Sequence, residues 1–416
     1  MSIHVIGVIG LGAVFTIGTL RPINLGALAL VMTFLVGSIF ARESPADMYA
    51  GFPVDLFILL AGVTYLFGVA VTNGTVEHIV AGAASLVRDR RPLIPWIVFI
   101  VASLPAMAGA LGSAGVAMLA PLSLRLARRY DIDRRMIGLM VVHGAAAGNF
   151  SPLNVLGAIV TQAVGRSGLD MSPAALFLSN LAYNVGLAAV IYVVFGGLRL
   201  TRRIDTTVEQ HAVPPAQGRM RSDQVCTLLA LLAVATAALV FGLNIGFLAF
   251  AAAVVLQLTF PSSSAGAEKK IAWGVVLLVC GIVTYVAALQ RYGTVQAVGD
   301  GIAALESPLL TAFLICAVAA VTSAFASSAG ILGAMIPLAV PFMVRGDVGT
   351  TGMVIALAVS ATVVDSTPFS TVGALVVANA EDQERAHVYR GLLLWGAAMV
   401  VTAPALTWLI FVLPAS

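Results

Sequence analysis

Apolar residues run along this chain in blocks of the length that crosses a bilayer as a helix, ~20 residues, separated by short polar turns. The blocks predict spans at Ile3–Leu20, Asn24–Phe40, Val54–Thr72, Leu93–Ala110, Ala114–Leu126, Met136–Gly165, Ala174–Gly197, Asp223–Gly242, Ile245–Phe260, Ile271–Leu289, Pro308–Phe325, Ala329–Val344, Thr350–Ala380 and Val388–Leu413. No basic region precedes the first block, which therefore reads as a span and not as a cleaved signal. One polar stretch is long, Arg199–Ser222, with two prolines and five arginines. It reads as a cytoplasmic linker between a first half, residues 1–198, and a second half, residues 223–416. Two amphipathic stretches, 75–91 and 294–306, read as helices lying in the membrane interface.

Two kinds of place interrupt helix inside the apolar blocks. The first is the tip of a hairpin: Gly109–Gly115 within hairpin 93–128, and Ala326–Gly330 within hairpin 308–344. Arg88–Arg91 and Arg125–Arg129 flank the first hairpin, so its two ends share a side and the hairpin is re-entrant. The alternative is a pair of short spans with a tight external turn. The second place lies within the long segments 136–165 and 350–380, at Gly148-Asn149-Phe150-Ser151-Pro152-Leu153-Asn154 and Val364-Asp365-Ser366-Thr367-Pro368-Phe369-Ser370-Thr371. Ser151-Pro152 and Thr367-Pro368 each set an N-cap residue before a proline, the preferred start of a helix. Each long segment is expected to be two half-helices joined by unwound chain. A single proline-kinked span is the alternative, and it leaves the cluster of Asn, Ser and Asp around both prolines unexplained.

Composition places these helices in lipid. Of 416 residues, 60% are hydrophobic and 10% charged, with a mean hydropathy of +1.02. Soluble domains carry about 25% charged residues, so this chain cannot coat a water-facing globule. It reads as an all-α polytopic membrane protein. The balance of 22 basic against 19 acidic residues gives a net charge of +3, too small to suggest nucleic acid. The placement of the charges says more. With the linker inside, all basic residues but Arg42, Arg166, Arg291 and Arg345 fall on the cytoplasmic side. Both termini then lie outside a cell's inner membrane. Cys226, Cys280 and Cys316 sit in apolar runs and read as small buried hydrophobes, not as a disulfide framework.

The halves echo each other. Gly62, Gly74, Thr75 and Val76 recur at one constant offset as Gly281, Gly293, Thr294 and Val295. Ser113-Ala114-Gly115 recurs as Ser328-Ala329-Gly330, each followed by a proline, Pro121 and Pro337. Pro152, Gly157, Ala158 and Val160 recur as Pro368, Gly373, Ala374 and Val376. Five transmembrane elements and a hairpin per half make the second half an inverted copy of the first, a signature of secondary transporters.

Unpaired backbone at membrane depth costs several kcal/mol per group, so such breaks persist only beside a cavity or ligand. Helix N-termini expected near Ser113, Ser151, Ser328 and Thr367 would converge there and favour an anion. No Lys or Arg lies at that depth, so a bound carboxylate would rest on dipoles, hydroxyls, amides and a cation. Oxygens of Asn149, Asp365 and Ser366 suit a sodium ion. Asp365 is the one acid expected near the bilayer centre, where insertion costs ~2.5–3.5 kcal/mol, and it could ligate a cation, carry a proton or cap the following half-helix. His143 could titrate or act as a hydrogen-bonded spacer. Asn73, Asn180 and Asn184 read as interhelical glue.

This order of elements resembles the ion transporter superfamily over essentially the whole chain, and within it the bacterial dicarboxylate carriers of the malonate type. It is more distantly similar to the divalent anion/sodium symporters. Their hairpin tips carry Ser-Asn-Thr against substrate carboxylate and sodium; here the matching positions are Ser113-Ala114-Gly115 and Ser328-Ala329-Gly330, which keep the serine alone. Their Thr-Pro-Pro-Asn-like unwound loop is matched in part by Ser151-Pro152-Leu153-Asn154 and Thr367-Pro368-Phe369-Ser370, with Thr371 next. The resemblance implies an elevator mechanism, a homodimer and no cofactor beyond the coupling ion. The expected function is symport of a small dicarboxylate such as malonate or succinate with Na+ or H+. The alternative is a sodium/proton antiporter with Asp365 as the exchange site. An intramembrane protease is disfavoured, since there is no HExxH, no GxGD and no second aspartate at depth, and a channel is disfavoured because no polar stripe lines any span.

Overall fold

The computed structural model describes residues 2–415 except 22, 77, 79–90, 201–218, 242, 295–296, 298–306, 325–327 and 347. Most of the linker expected at 199–222, and of the interfacial helices expected at 75–91 and 294–306, thus lies outside the described residues. So do Ala326 and Ser327 of the second hairpin tip.

Among the described residues every regular element is helical. The first half comprises α1 (Ile3–Leu20), α2 (Leu25–Leu35, extended by a π turn, Val36–Ala41), α3 (Pro45–Ala50), α4 (Val54–Thr72), α5 (Ile94–Met107), α6 (Gly112–Arg129), α7 (Arg134–Gly148), α8 (Val155–Arg166), α9 (Pro173–Val194) and α10 (Gly197–Leu200). The second comprises α11 (Ser222–Phe241), α12 (Ile245–Thr259), α13 (Trp273–Arg291), α14 (Pro308–Ser323), α15 (Ser328–Val344), α16 (Thr350–Val363), α17 (Thr371–Ala378) and α18 (Asp382–Thr407, extended by a π turn, Trp408–Val412). Short polar residues set the starts. Asn24 accepts from the N–H groups of Gly26 and Ala27, Asn244 from that of Phe247, and Ser172 from that of Ala175 ahead of Pro173.

Among the described residues five helices are long and apolar enough to cross a membrane: α4, α9, α13, α16–α17 taken through its break, and α18 with its π turn. The hairpin legs are shorter. At 1.5 Å per residue, the 14 residues of α5 reach about 21 Å against a hydrocarbon core of about 30 Å. Large apolar side chains such as Phe34, Phe247, Leu258 and Val401 are left exposed around the outside, as lipid contact requires and water would penalise. Cys226 belongs with them. It is exposed on α11, not buried as its apolar neighbourhood suggested, while Cys280 and Cys316 are buried, and all three are free thiols.

Two crossings brace the frame. On α2 and α13, a Cβ on Gly26 would stand 1.9 Å from the Leu277 carbonyl oxygen, and one on Gly281 2.0 Å from the Gly26 oxygen. On α4 and α12, a Cβ on Gly62 would stand 2.3 Å from the Gly246 oxygen. Small residues let these backbones touch, the usual way helices gain contact in lipid. Asn73 Nδ2 donates to Thr227 Oγ1 at 2.7 Å and ties the end of α4 to α11, as expected of glue.

The remaining helices form a bundle in which α5 packs on α7, α7 on α9, α14 on α16 and α16 on α18. The halves also exchange partners. Half-helix α8 packs on hairpin leg α15, and α17 on α6. Ion pairs close the two ends. Arg134 Nε meets Glu384 at 2.8 Å, and Arg128 meets Glu381 at 2.8 Å, joining α6 and α7 to α18. At the other end Arg291 Nε donates to Glu43 at 2.9 Å, and Arg166 pairs with Asp55.

Both long segments are broken where their polar clusters fall, so neither is a single kinked span. The restart points need correction. The half-helices begin at Val155 and Thr371, three to four residues beyond the Ser-Pro and Thr-Pro pairs, with Asn154 and Ser370 as N-caps. Ser151 and Thr367 are diverted because each hydroxyl donates to a carbonyl at the turn of its own half's hairpin.

Candidate functional site

In the first half, α7 ends at Gly148 and Phe150 takes a left-handed conformation, φ 64°, a costly state for a bulky residue that turns the chain sharply. Ser151 Oγ then donates to the Met107 carbonyl at 2.8 Å. Asn154 Nδ2 donates to the carbonyls of Ala106 at 2.8 Å and Ala110 at 3.0 Å, while its Oδ1 accepts from Leu156 N–H at 2.9 Å. The unwound loop thus satisfies both the hairpin turn and the start of α8.

The second half repeats the arrangement with different residues. Thr367 Oγ1 donates to the Ala324 carbonyl at 2.8 Å, and Ser370 Oγ accepts from Gly373 N–H at 3.0 Å while donating to the Asp365 carbonyl. Ser328 Oγ lies 2.7 Å from Asp365 Oδ2, 3.1 Å from the Ala361 carbonyl and 2.9 Å from Ser323 Oγ. With one hydroxyl proton, Ser328 donates to the carboxylate or the carbonyl, and Ser323 can donate into Ser328. Asp365 does not cap α17; Ser370 does.

Between the two unwound stretches lies a cavity of about 190 Å³. It collects Ser113, Asn149, Asn154, Ser328, Ala329, Asp365 and Thr371 from among the candidates, with Gly112 beside them. Leu111, Val142, Ala145, Ala146, Leu156, Val275 and Val372 supply apolar walls. Among the described residues no Lys, Arg or His lines it, and Asp365 is the single ionisable group there. Small-molecule sites are mostly apolar with few placed polar groups, and drug-sized ligands need about 300–1,000 Å³. This cavity suits something smaller.

The other candidates stand elsewhere. Ser151 faces a separate cavity of about 290 Å³ with Phe150, Pro152 and Gln162. Thr367 and Ser370 are spent on the bonds above, and Ser366 Oγ donates to the Val363 carbonyl at 2.9 Å. Ala114, Gly115 and Gly330 do not line the central cavity; Gly330 packs toward Ile282. His143 is buried behind the wall. Trp395 Nε1–H donates to its Nε2 at 2.8 Å, leaving Nδ1–H, 3.0 Å away, to donate to Asn184 Oδ1. Both ring nitrogens are thus bonded, as a hydrogen-bonded spacer requires. Asn184 in turn donates to Asn180, and Asn180 donates to the Ala146 and Asn149 carbonyls at the break.

Sequence reasoning missed the apolar walls. Val142, Ala145 and Ala146 stand seven, four and three residues before Asn149, the spacing that shares a helix face, so periodicity could have named them. Val275 comes from the frame helix α13 and carries no local signal.

Residues 1–149 match the family model described as Dicarboxylate carrier protein MatC N-terminus. The match ends at the first unwound residue of the cavity. Among solved structures, the chain is similar to MtrF of Neisseria gonorrhoeae, presented as one of a class of antimetabolite efflux pumps, at 16% identity and a TM-score of 0.60 over 88% of this chain and 83% of that one. It is similar to the YdaH transporter of Alcanivorax borkumensis, described as having an unusual topology, at 13% identity and a TM-score of 0.60 over 90% and 88%. At such identities the likeness is one of fold. No curated protein matches the chain. This is a multi-pass helical membrane protein with the fold of those transporters.

Proposed function

We propose that the protein is a secondary active carrier that moves a small dicarboxylate such as malonate or succinate across the inner membrane with Na+ or H+. The observation that carries this reading is the central cavity: two stretches of unwound chain, helix N-termini, hydroxyls and amides enclose a small space lined by one carboxylate side chain and, among the described residues, no cationic one. A dianion entering it meets oriented N–H groups at no reorganisation cost, and Asp365 gives the coupling ion a place beside it. The family match over residues 1–149 supports a dicarboxylate as the solute.

In this reading the halves are inverted repeats, with both termini outside and the linker in the cytoplasm. The hairpins and broken helices travel together past the frame of α1, α2, α4 and α11–α13, in a homodimer. The legs of α5 and α14, too short to cross upright, support re-entrant hairpins. Coupling needs the loaded site to move and the half-loaded site to stay. The test is uptake of labelled malonate, succinate and citrate into proteoliposomes, with sodium and pH gradients imposed separately. Uptake driven by one gradient is expected. Carboxylate-independent exchange of Na+ for H+, with no acid taken up under either gradient, would replace this reading with antiport.

A further inference from the structure

The halves meet the cavity with different chemistry. Asn149 and Asp365 hold matching places, each just past the first arm of a broken helix and each beside the N-terminal turn of a hairpin leg. In the second half that place is a carboxylate already bonded to Ser328 Oγ at 2.7 Å. In the first half it is a carboxamide whose Oδ1 is buried and has no partner, on a residue only 5% exposed. A Cβ on Gly112 would stand 3.9 Å from that oxygen.

Gly112 and Ser113 open the 18-residue helix α6, and no side chain caps it, because its N-cap is Leu111. By contrast Asn154 and Ser370 close the N-termini of α8 and α17. The first half therefore turns an open, partly positive helix end toward the cavity, next to an amide that nothing holds. An amide with no fixed partner turns about its terminal torsion to offer either its NH2 or its oxygen. Facing an anion, it offers the NH2.

We infer that the cavity is polarised: Gly112, Ser113 and Asn149 of the first half grip a substrate carboxylate, while Asp365 and Ser328 of the second half hold the coupling proton or cation. The inference rests on the carrier reading and adds which half does what. Two carboxylates sharing a dry site cannot both stay ionised. A second substrate carboxylate thus reaches Asp365 only together with a proton or cation, whereas the Asn149 end binds without that condition. The elements packed around Asp365 bring no rival titrating group to the cavity. His143 on α7 is bonded to Asn184 and Trp395, Cys316 on α14 is buried, Arg134 and Arg135 open α7, and Asp382, Glu384, Arg385, His387 and Arg390 of α18 fall within its first nine residues and do not line the cavity.

The experiment is calorimetric binding of malonate and succinate to the full chain in lipid nanodiscs, from pH 5.5 to 8.5, in sodium chloride or choline chloride. Asn149→Ala should weaken binding about ten- to hundred-fold, the loss of a hydrogen bond to a charged group, and leave the ion dependence unchanged. Asp365→Asn should still bind, with its dependence on sodium or pH lost. Asn149→Asp should lose binding at neutral pH and regain it in acid. Asn149→Gln, which keeps the amide one methylene away, serves if the alanine variant does not fold, and at least a ten-fold loss is expected of it too. Wild-type affinity in the Asn149 variant that folds, or wild-type ion dependence in Asp365→Asn, overturns the polarity and leaves the carrier reading standing. Absence of acid binding by the wild type under every condition removes the carrier reading and the polarity with it.

Discussion

Asn154 gives the sharpest test of how the site is held. Its side chain is 1% exposed and bridges three backbone groups: Nδ2 to the Ala106 and Ala110 carbonyls, Oδ1 to the Leu156 N–H. In Asn154→Ala the cap is lost, at about 1 kcal/mol. Ala106 keeps a bond from Gly109 N–H at 3.1 Å, so of the two carbonyls it is Ala110 that loses its tie, at about 1–3 kcal/mol for a buried orphan. The expected loss is about 2–4 kcal/mol. Asn154→Ser separates the two contributions, since serine can cap α8 but is too short to reach the hairpin, and about 1–3 kcal/mol should remain. Unfolding of the purified protein in mixed micelles, followed by tryptophan fluorescence, measures both. A loss below 1 kcal/mol for Asn154→Ala would refute the claim that this side chain binds the hairpin turn to the break.

Three further outcomes are expected. Gly281→Ala sets a methyl group 2.0 Å from the Gly26 carbonyl oxygen, so α2 and α13 must part at a cost of about 1–3 kcal/mol or more; an unchanged melting temperature would mean the crossing is looser than described. The bonds from Arg291 hold the Glu43 carboxyl below the usual glutamate range against the opposing pull of burial, with a further bond from Tyr292. A carboxyl so depressed stabilises the fold above its unfolded pKa of about 4.3 and loses that contribution as pH falls through the folded value, so melting curves from pH 6 to pH 3 should fall less steeply in Glu43→Gln than in the wild type. Trp395→Phe strips the donor from His143 Nε2 and should cost about 1–3 kcal/mol while leaving the pH profile of uptake in place; a shifted profile would make His143 part of the proton path.

Most helix limits were legible because apolar runs stop abruptly at residues that cannot continue them. α1 and α4 have the bounds their sequence pattern predicts, between Ser2 and Arg21 and between Pro53 and Asn73. The breaks were legible for the same reason, since Asn149 and Asp365 have no place in an unbroken apolar helix. The restart points were not. Ser151-Pro152 and Thr367-Pro368 have the local form of a helix start, but their hydroxyls are claimed by carbonyls some forty residues away, and the caps pass to Asn154 and Ser370. Local preference lost to a tertiary bond. His143 shows a related limit: its type alone leaves titration and a spacer role open, and only the positions of Asn184 and Trp395, bonded to its two ring nitrogens, favour the spacer.

The exchange of α8 onto α15 and of α17 onto α6 bears on how the protein is made. While the ribosome is still translating the second half, the first has its break and its hairpin without α15 and α17 to pack on them. That exposed seam is sealed only when residues up to Ala378 have left the exit tunnel and entered the bilayer. Packing is therefore completed only by the second half, and a chain truncated at its middle leaves bare those faces of α6 and α8 that α17 and α15 cover.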